Sequence, residues 1–502
     1  MRHECLCVVC KYKFLQHLTH PTTVRYVLSY LLICYNVTNR LKNKPTTDNI
    51  IGRHISMTIY TFRCLIAIMS LVAFSSAHAQ EDVSDLRQAL DELRSEYEQR
   101  ISDLEKKLEM AVQSKEHAGS TGTTKSVGGR TIKGNIFNPS IGIILNGQFK
   151  EFSKRTEPEL KGFSVGEEAH RGDGGMALDH TELNFSANVD DKFYGSLTYA
   201  IAEHEGVVET EVEEAYIETL PGAGAPAKFK FGKALWAIGY LNEQHAHVDD
   251  FVGRPLPYEV YFNGAFNDDG IQISKILPTD VYQEVGVGLF RGNDFPFGTT
   301  DKQGIGATSL YYRIGGDLGV NGTWRLGAYR LDGETGGRVG TEDLVTFIGD
   351  TDITAYDLRY TYAPTGNEAS QEITFTAEHF SRSEVGNYTG TGAEAFAQTD
   401  INQDTSGYYV AATYKWMPQA RVGVRYAAMT SDNIVGGTLD GTVVDGDGFN
   451  PTQTDIMFDW TNSEYSRIRL QVGSEEVTRG ENDDSFILQY IMSFGAHSAH
   501  KY

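Results

Sequence analysis

From Ser140 onward, apolar and polar residues alternate with period two, broken at intervals by turn-forming residues. The last run is the cleanest. Phe486, Leu488, Tyr490, Met492, Phe494 and Ala496 share one side; Gln489, Ser493, Gly495 and His497 fall on the other. In 467–472 and 421–426, arginines alternate with Ile, Leu, Val and Tyr in the same way. Runs of about ten residues, greasy outward and polar inward, are what a transmembrane barrel strand needs. Sixteen segments fit: near 140–152, 178–189, 193–203, 210–220, 227–238, 269–277, 281–291, 306–315, 320–331, 352–363, 370–382, 407–416, 420–430, 454–460, 465–474 and 485–497. Their connections alternate in length, with short ones such as 277–280 and 417–420 and long ones such as 153–177, 239–268, 332–351 and 383–406. Tight turns at one end, longer loops at the other and an even strand number describe a bacterial outer-membrane barrel. A soluble sandwich also alternates, but nothing in it would sustain this rhythm. The expected fold class is therefore all-β: a sixteen-stranded antiparallel transmembrane barrel over 136–502, with a helical segment before it.

That segment, within 80–116, has a different period. Val83, Leu86, Leu90, Leu93 and Tyr97 step by three and four, and Ile101, Leu104, Leu108 and Ala111 resume after an extra four. An insertion of four is a stutter, which unwinds a coiled coil locally without ending it. So thin a stripe is best covered by other copies of itself; the plainer alternative is one amphipathic helix lying on its own chain. Residues 117–135, rich in Gly, Ser and Thr, read as a flexible linker. Residues 57–79 read as a secretory signal: Arg63 first, then an apolar run over 64–74, then Ala77-His78-Ala79. The run falls short of the roughly 20 residues a spanning helix needs. Residues 1–56 read as an extension from an over-early start codon.

Charge and cysteine agree with this division. The chain has 44 Lys/Arg against 67 Asp/Glu, a formal net charge of −23. Residues 1–79 hold nine of the basic and two of the acidic residues, so the rest is more acidic still. That balance argues against a nucleic-acid partner, which calls for a basic stripe, and biases the surroundings toward cations. All five cysteines precede Ala79, which leaves neither a disulfide framework nor a thiolate metal site in the remainder.

Several runs resemble a family of Gram-negative outer-membrane porins related to the phosphate-selective and carbohydrate porins, whose members are sometimes labelled TonB-dependent receptors. They are the entry 137–147 (FNPSIGIILNG), the run 239–247 (GYLNEQHAH) and the ending 495–502 (GAHSAHKY). The resemblance implies a sixteen- to eighteen-stranded channel, a homotrimer, seated among outer-membrane lipid and lipopolysaccharide, with the coiled coil in the periplasm. The acidity departs from the lumenal Arg and Lys rows of the phosphate-selective branch. A TonB-dependent receptor would need a plug and a 22-stranded barrel, for which this chain has no room.

The third long connection, 239–268, concentrates the candidate chemistry. It carries Glu243, His245, His247, Asp249 and Asp250, with Arg254 as its strong base. Folded into a lumen, such a loop would form a constriction whose charges select solutes. In extended backbone His245 and His247 point the same way, so they could share a metal ion; the plainer alternative is that they bond the loop to the wall. Strand parity sends Arg313, Arg325, Arg359, Arg421, Arg425, Arg467 and Arg469 toward the lumen, and Glu182, Glu214 and Glu218 toward it from early strands. A basic wall opposite an acidic one would set a transverse field across the passage; ordinary ion pairing that stiffens the barrel is the alternative. No hydrolase or nucleotide-binding motif is found, and no cofactor is expected. The expected activity is passive diffusion of small hydrophilic solutes or ions, with metal-specific uptake as the alternative and a barrel enzyme third.

Overall fold

The computed structural model of the chain describes residues 125–127, 130–132 and 140–495, apart from 167–168, 170, 173, 179–180, 205–206, 221–223, 299–303, 342–343, 432–433, 435 and 464. The extension, the signal, the coiled coil and most of the linker lie outside the described residues. A short pairing of Lys125–Val127 with Arg130–Ile132 precedes the barrel.

The sixteen strands are β1 (Ser140–Phe152), β2 (Gly175–Leu178 and Thr181–Asn188, both paired with β1), β3 (Phe193–His204), β4 (Val207–Thr219), β5 (Lys228–Leu235), β6 (Asn267–Ile276), β7 (Tyr282–Phe290), β8 (Ala307–Leu318), β9 (Gly322–Gly340), β10 (Val345–Tyr362), β11 (Glu372–Gly390), β12 (Phe396–Met417), β13 (Ala420–Thr430), β14 (Thr452–Ser463), β15 (Ser466–Thr478) and β16 (Glu481–Gly495). Each pairs antiparallel with its sequence neighbour, and β16 closes on β1 with Gln489 opposite Gln148. Closure gives each strand a partner on both sides, so the barrel has no free edge strand, as a sheet in lipid requires.

Parity sorts the side chains as expected. On β8, Leu310 (59 %) stands exposed outside while Arg313 (6 %) is buried inside. Leu488, Tyr490, Val424, Ile468 and Phe375 belong to the same exposed apolar band, which lipid covers and water would not. Tyr282, Tyr362, Tyr414 and Trp460, near the short-turn ends of their strands, form the aromatic girdle of that side. At the other end the outward residues turn polar at one level, through the paired ring Arg330, Thr354, Ser381, Ser406 and Thr430.

Above that ring the structure departs from expectation. The connections expected at 332–351 and 383–406 are mostly strand, because β9–β12 continue to 18–22 residues in length. Their outward positions here are Asp332, Glu334, Asn402 and Asp404, so the alternation that marks a lipid-facing strand disappears. Backbone pairing does not need that alternation. The ladder simply runs on.

Inside lies a packed core. It is built around the connection between β5 and β6, where Trp236, Leu256, Tyr258, Phe262 and Phe266 meet Phe290, Tyr311, Tyr329, Phe380 and Tyr409 of the wall. The long connection therefore does not hang outside; it folds into the barrel.

Candidate functional site

The inward connection starts at Trp236, whose indole N–H donates to the Asp268 carbonyl at 2.7 Å. A single side chain ties its two ends. Asn242 Nδ2 donates to the carbonyls of Trp236 (2.7 Å) and Phe266 (2.9 Å), and its Oδ1 accepts from the Phe266 amide (2.7 Å). Between these ends stand a 3-10 turn, Leu241–Glu243, and a short helix α1, Leu256–Phe262. Pro257 in the first turn of α1 costs no hydrogen bond, since the first amides of a helix have no helical partner.

A buried carboxylate holds the turn. Glu378 of β11 accepts from the amides of Tyr240 (2.7 Å) and Leu241 (3.1 Å) and from the hydroxyls of Tyr258 (3.1 Å) and Tyr409 (2.6 Å). Gly239, at φ +84°, makes the approach possible: a Cβ there would run into the Glu378 carboxylate and the Tyr258 hydroxyl. Arg254 braces the loop from within, donating to the carbonyls of Leu241 (2.6 Å) and Gln244 (2.5 Å) and pairing with Asp249 at 3.0 Å. Burial pushes Asp249 up to about 7 in spite of Arg254, with Asp250 adding to the rise.

The arginines of the far wall reach the loop rather than facing it across open space. Arg313 pairs with Glu243, and Arg421 bridges Asp250 and Asp459. Arg425 donates to the Gly253 carbonyl (2.8 Å), Arg467 to that of His247 (2.5 Å) and Arg469 to that of Asp249 (2.8 Å). Gln471 brackets the backbone of Val252 through its N–H (2.7 Å) and carbonyl (3.0 Å). Arg325 and Arg359 lie over the Tyr240 ring, 4.8 and 4.6 Å from its centroid, a cation–π arrangement on both counts. Burial alone would raise Asp250, but Arg421, Arg359 and Arg469 hold it below its ordinary value. The two charged walls thus meet the loop between them, and much of the expected transverse charge is neutralised by contact.

On the opposite side the loop meets acid. His245 Nδ1 lies 3.1 Å from Glu213 and 3.4 Å from Glu182, and its Nε2 lies 3.1 Å from Glu214. His247 Nδ1 is 2.5 Å from the other Glu182 oxygen. Two consecutive glutamates cannot both face inward on a regular strand. Here they do, because Thr198 pairs with Glu214 and Tyr199 with Val212, which leaves Glu213 as a β-bulge. Asn267 Nδ2 donates to the carbonyl of that extra residue at 2.5 Å. Burial works against a charge on His245, yet Glu213, Glu182 and Glu214 outweigh it and hold its pKa well above the ordinary imidazole value.

All the residues singled out in sequence therefore face the lumen, and most converge on the loop. Glu218 does not; it pairs with Lys228 at 2.7 Å, near the short-turn end of the wall. Sequence reasoning passed over Glu213, Asn242, Tyr240 and Glu378. Parity could have flagged Glu378, which shares an inward face with Thr374 and Thr376. Nothing in the sequence marks the bulge that turns Glu213 inward.

No family model matches the chain. An uncharacterized protein of Aquifex aeolicus (strain VF5) is 25 % identical over 398 residues, 73 % of this chain and 80 % of that one. Among solved structures, the outer membrane channel DcaP of Acinetobacter baumannii overlaps 71 % of this chain and 97 % of its own at 14 % identity and a TM-score of 0.45. OmpT of Vibrio cholerae in its trimer form (11 % identity, TM-score 0.44) and an anion-selective porin from Comamonas acidovorans (10 %, TM-score 0.43) each cover 71 % of this chain and 99 % of their own. The likeness is one of fold alone.

Proposed function

We propose that this chain is an outer-membrane porin through which small hydrophilic solutes diffuse passively, with the inward connection between β5 and β6 as its constriction. The observation that carries the reading is the combination of a lipid-compatible exterior with a lumenal loop bonded to its wall on several sides. Around that loop some charged side chains stay in contact with water: Glu243 (33 %), Asp250 (29 %), Arg325 (24 %) and Arg421 (21 %). Acid and base side by side favour small polar solutes and make the passage of apolar ones costly. The chain's net acidity gives a modest preference for cations. Lipid and lipopolysaccharide are its surroundings in this reading, a homotrimer is its assembly, and catalysis is no part of its activity.

Planar-bilayer recording of the refolded protein tests the proposal. Stepwise conductance with a reversal potential in a salt gradient is expected, and Arg325→Ser with Arg359→Ser should shift that potential further toward cations. A folded protein that inserts into the bilayer yet never conducts would overturn it. A second reading, metal uptake through His245 and His247, is favoured by the carboxylates gathered there. The near-complete burial of His247 and Glu182, each 1 % exposed, points to an ion that stays rather than one in transit.

A further inference from the structure

We propose that Glu182, Glu213, His245 and His247 bind one divalent transition-metal ion of the zinc class, which fastens the inward loop to β2 and β4. The proposal stands independently of the channel reading, since it concerns the folded barrel alone.

The donor set is two imidazoles and two carboxylates, the mixed nitrogen and oxygen ligation that zinc accepts. One donor atom from each of Glu182, His245 and His247 lies within 4.8 Å of the others. Around a tetrahedral ion with bonds of about 2.0–2.1 Å, neighbouring donor atoms stand roughly 3.3 Å apart. His245 Nδ1 is 3.1 Å from Glu213 Oε2 and 3.4 Å from Glu182 Oε2, which brackets that spacing. His247 Nδ1, 2.5 Å from Glu182 Oε1, would need to draw back slightly as the ion enters.

A fifth residue completes the logic. Glu214 Oε2 lies 3.1 Å from His245 Nε2. A metal-bound imidazole usually gives its other N–H to a carboxylate, which fixes the tautomer and strengthens the bond. With Nε2–H directed at Glu214, Nδ1 of His245 faces two carboxylate oxygens. A positive charge belongs between them: the Nδ1 proton in the metal-free protein, and the ion once it displaces that proton. Lys230 lies 3.5 Å from Glu214, the carboxylate that would orient His245 rather than bind the ion.

The bulge gives the arrangement its second line of support. A regular β4 would leave Glu213 facing lipid; the extra residue turns it inward beside Glu214, and Asn267 secures its carbonyl. Bulges recur where a side chain must be re-aimed. The ion would then do for this side of the loop what the arginines of β13 and β15 do for the other.

The test uses tag-free, refolded protein stripped with chelator and titrated with zinc alone. One ion per chain is expected by calorimetry and by elemental analysis of the dialysed protein, with a shell of nitrogen and oxygen donors in X-ray absorption. His247→Ala and Glu213→Gln should each weaken binding by at least about a hundredfold, and Glu214→Gln by about 10- to 100-fold. His379→Ala, on an exposed position of β11, should leave it unchanged. Glu213→Gln keeps the shape of the side chain, so it separates lost ligation from lost folding. Absence of stoichiometric zinc uptake by the folded wild type, or uptake indifferent to Glu213 and His247, would each overturn the proposal.

Discussion

Gly239 and Glu378 form a pair in which each explains the other. Alanine at 239 would combine a left-handed backbone, disfavoured for any side chain, with a clash against the carboxylate that holds the 3-10 turn. Gly239→Ala should destabilise the barrel by about 1–3 kcal/mol, the usual cost of one strained residue, read as a lower denaturant midpoint in detergent. Glu259 of α1 offers a pH test. Burial raises it well above the ordinary carboxylate value, and Glu475 adds to the rise. A carboxyl raised in the folded state favours that state most when protonated in both. Stability should therefore fall as pH climbs above the unfolded value of about 4.3 and level off past the folded one. Glu259→Gln should flatten that slope, so the variant gains more in thermal midpoint at pH 8 than at pH 4.

At the scale of elements, the loop between β5 and β6 is an inserted core rather than a flap. Its backbone is held by side chains of β11, β13 and β15, and its apolar residues pack against inward-facing side chains of the wall. Loosening one anchor should open the passage without unfolding the wall. Glu378→Ala is expected to raise single-channel conductance and its noise while leaving the β-sheet circular dichroism unchanged. The strands themselves were legible because lipid outside and polar groups inside impose a period of two on each. The length and charge of the loop were legible; that it folds inward was an expectation taken from the porin resemblance. Its anchoring was not legible. Asn242, Tyr240 and Glu378 act through contacts between segments more than a hundred residues apart in places, and a one-residue bulge inverts the parity that would have placed Glu213.

For the whole molecule, closure and the apolar band dominate. Leu488 lies mid-strand on the lipid side of β16, and its neighbour Gln489 is buried inside. Leu488→Arg should cost about 2–4 kcal/mol, the price of a cation near the middle of the bilayer, measured by unfolding from lipid vesicles. The outer parts of β9–β12 obey a different rule. About ten residues of each rise past the ring at Arg330 and Ser406, and a rise of about 3.3 Å per residue at the usual tilt lifts that side some 25 Å clear of the hydrocarbon. The rim of the barrel is consequently lopsided, a parapet on one flank and a low sill on the other. Anything arriving from outside meets the parapet first. Sugars of the surrounding saccharide layer, antibodies and phage tails would touch the parapet, so sequence there can drift under their pressure while the passage behind it keeps its shape.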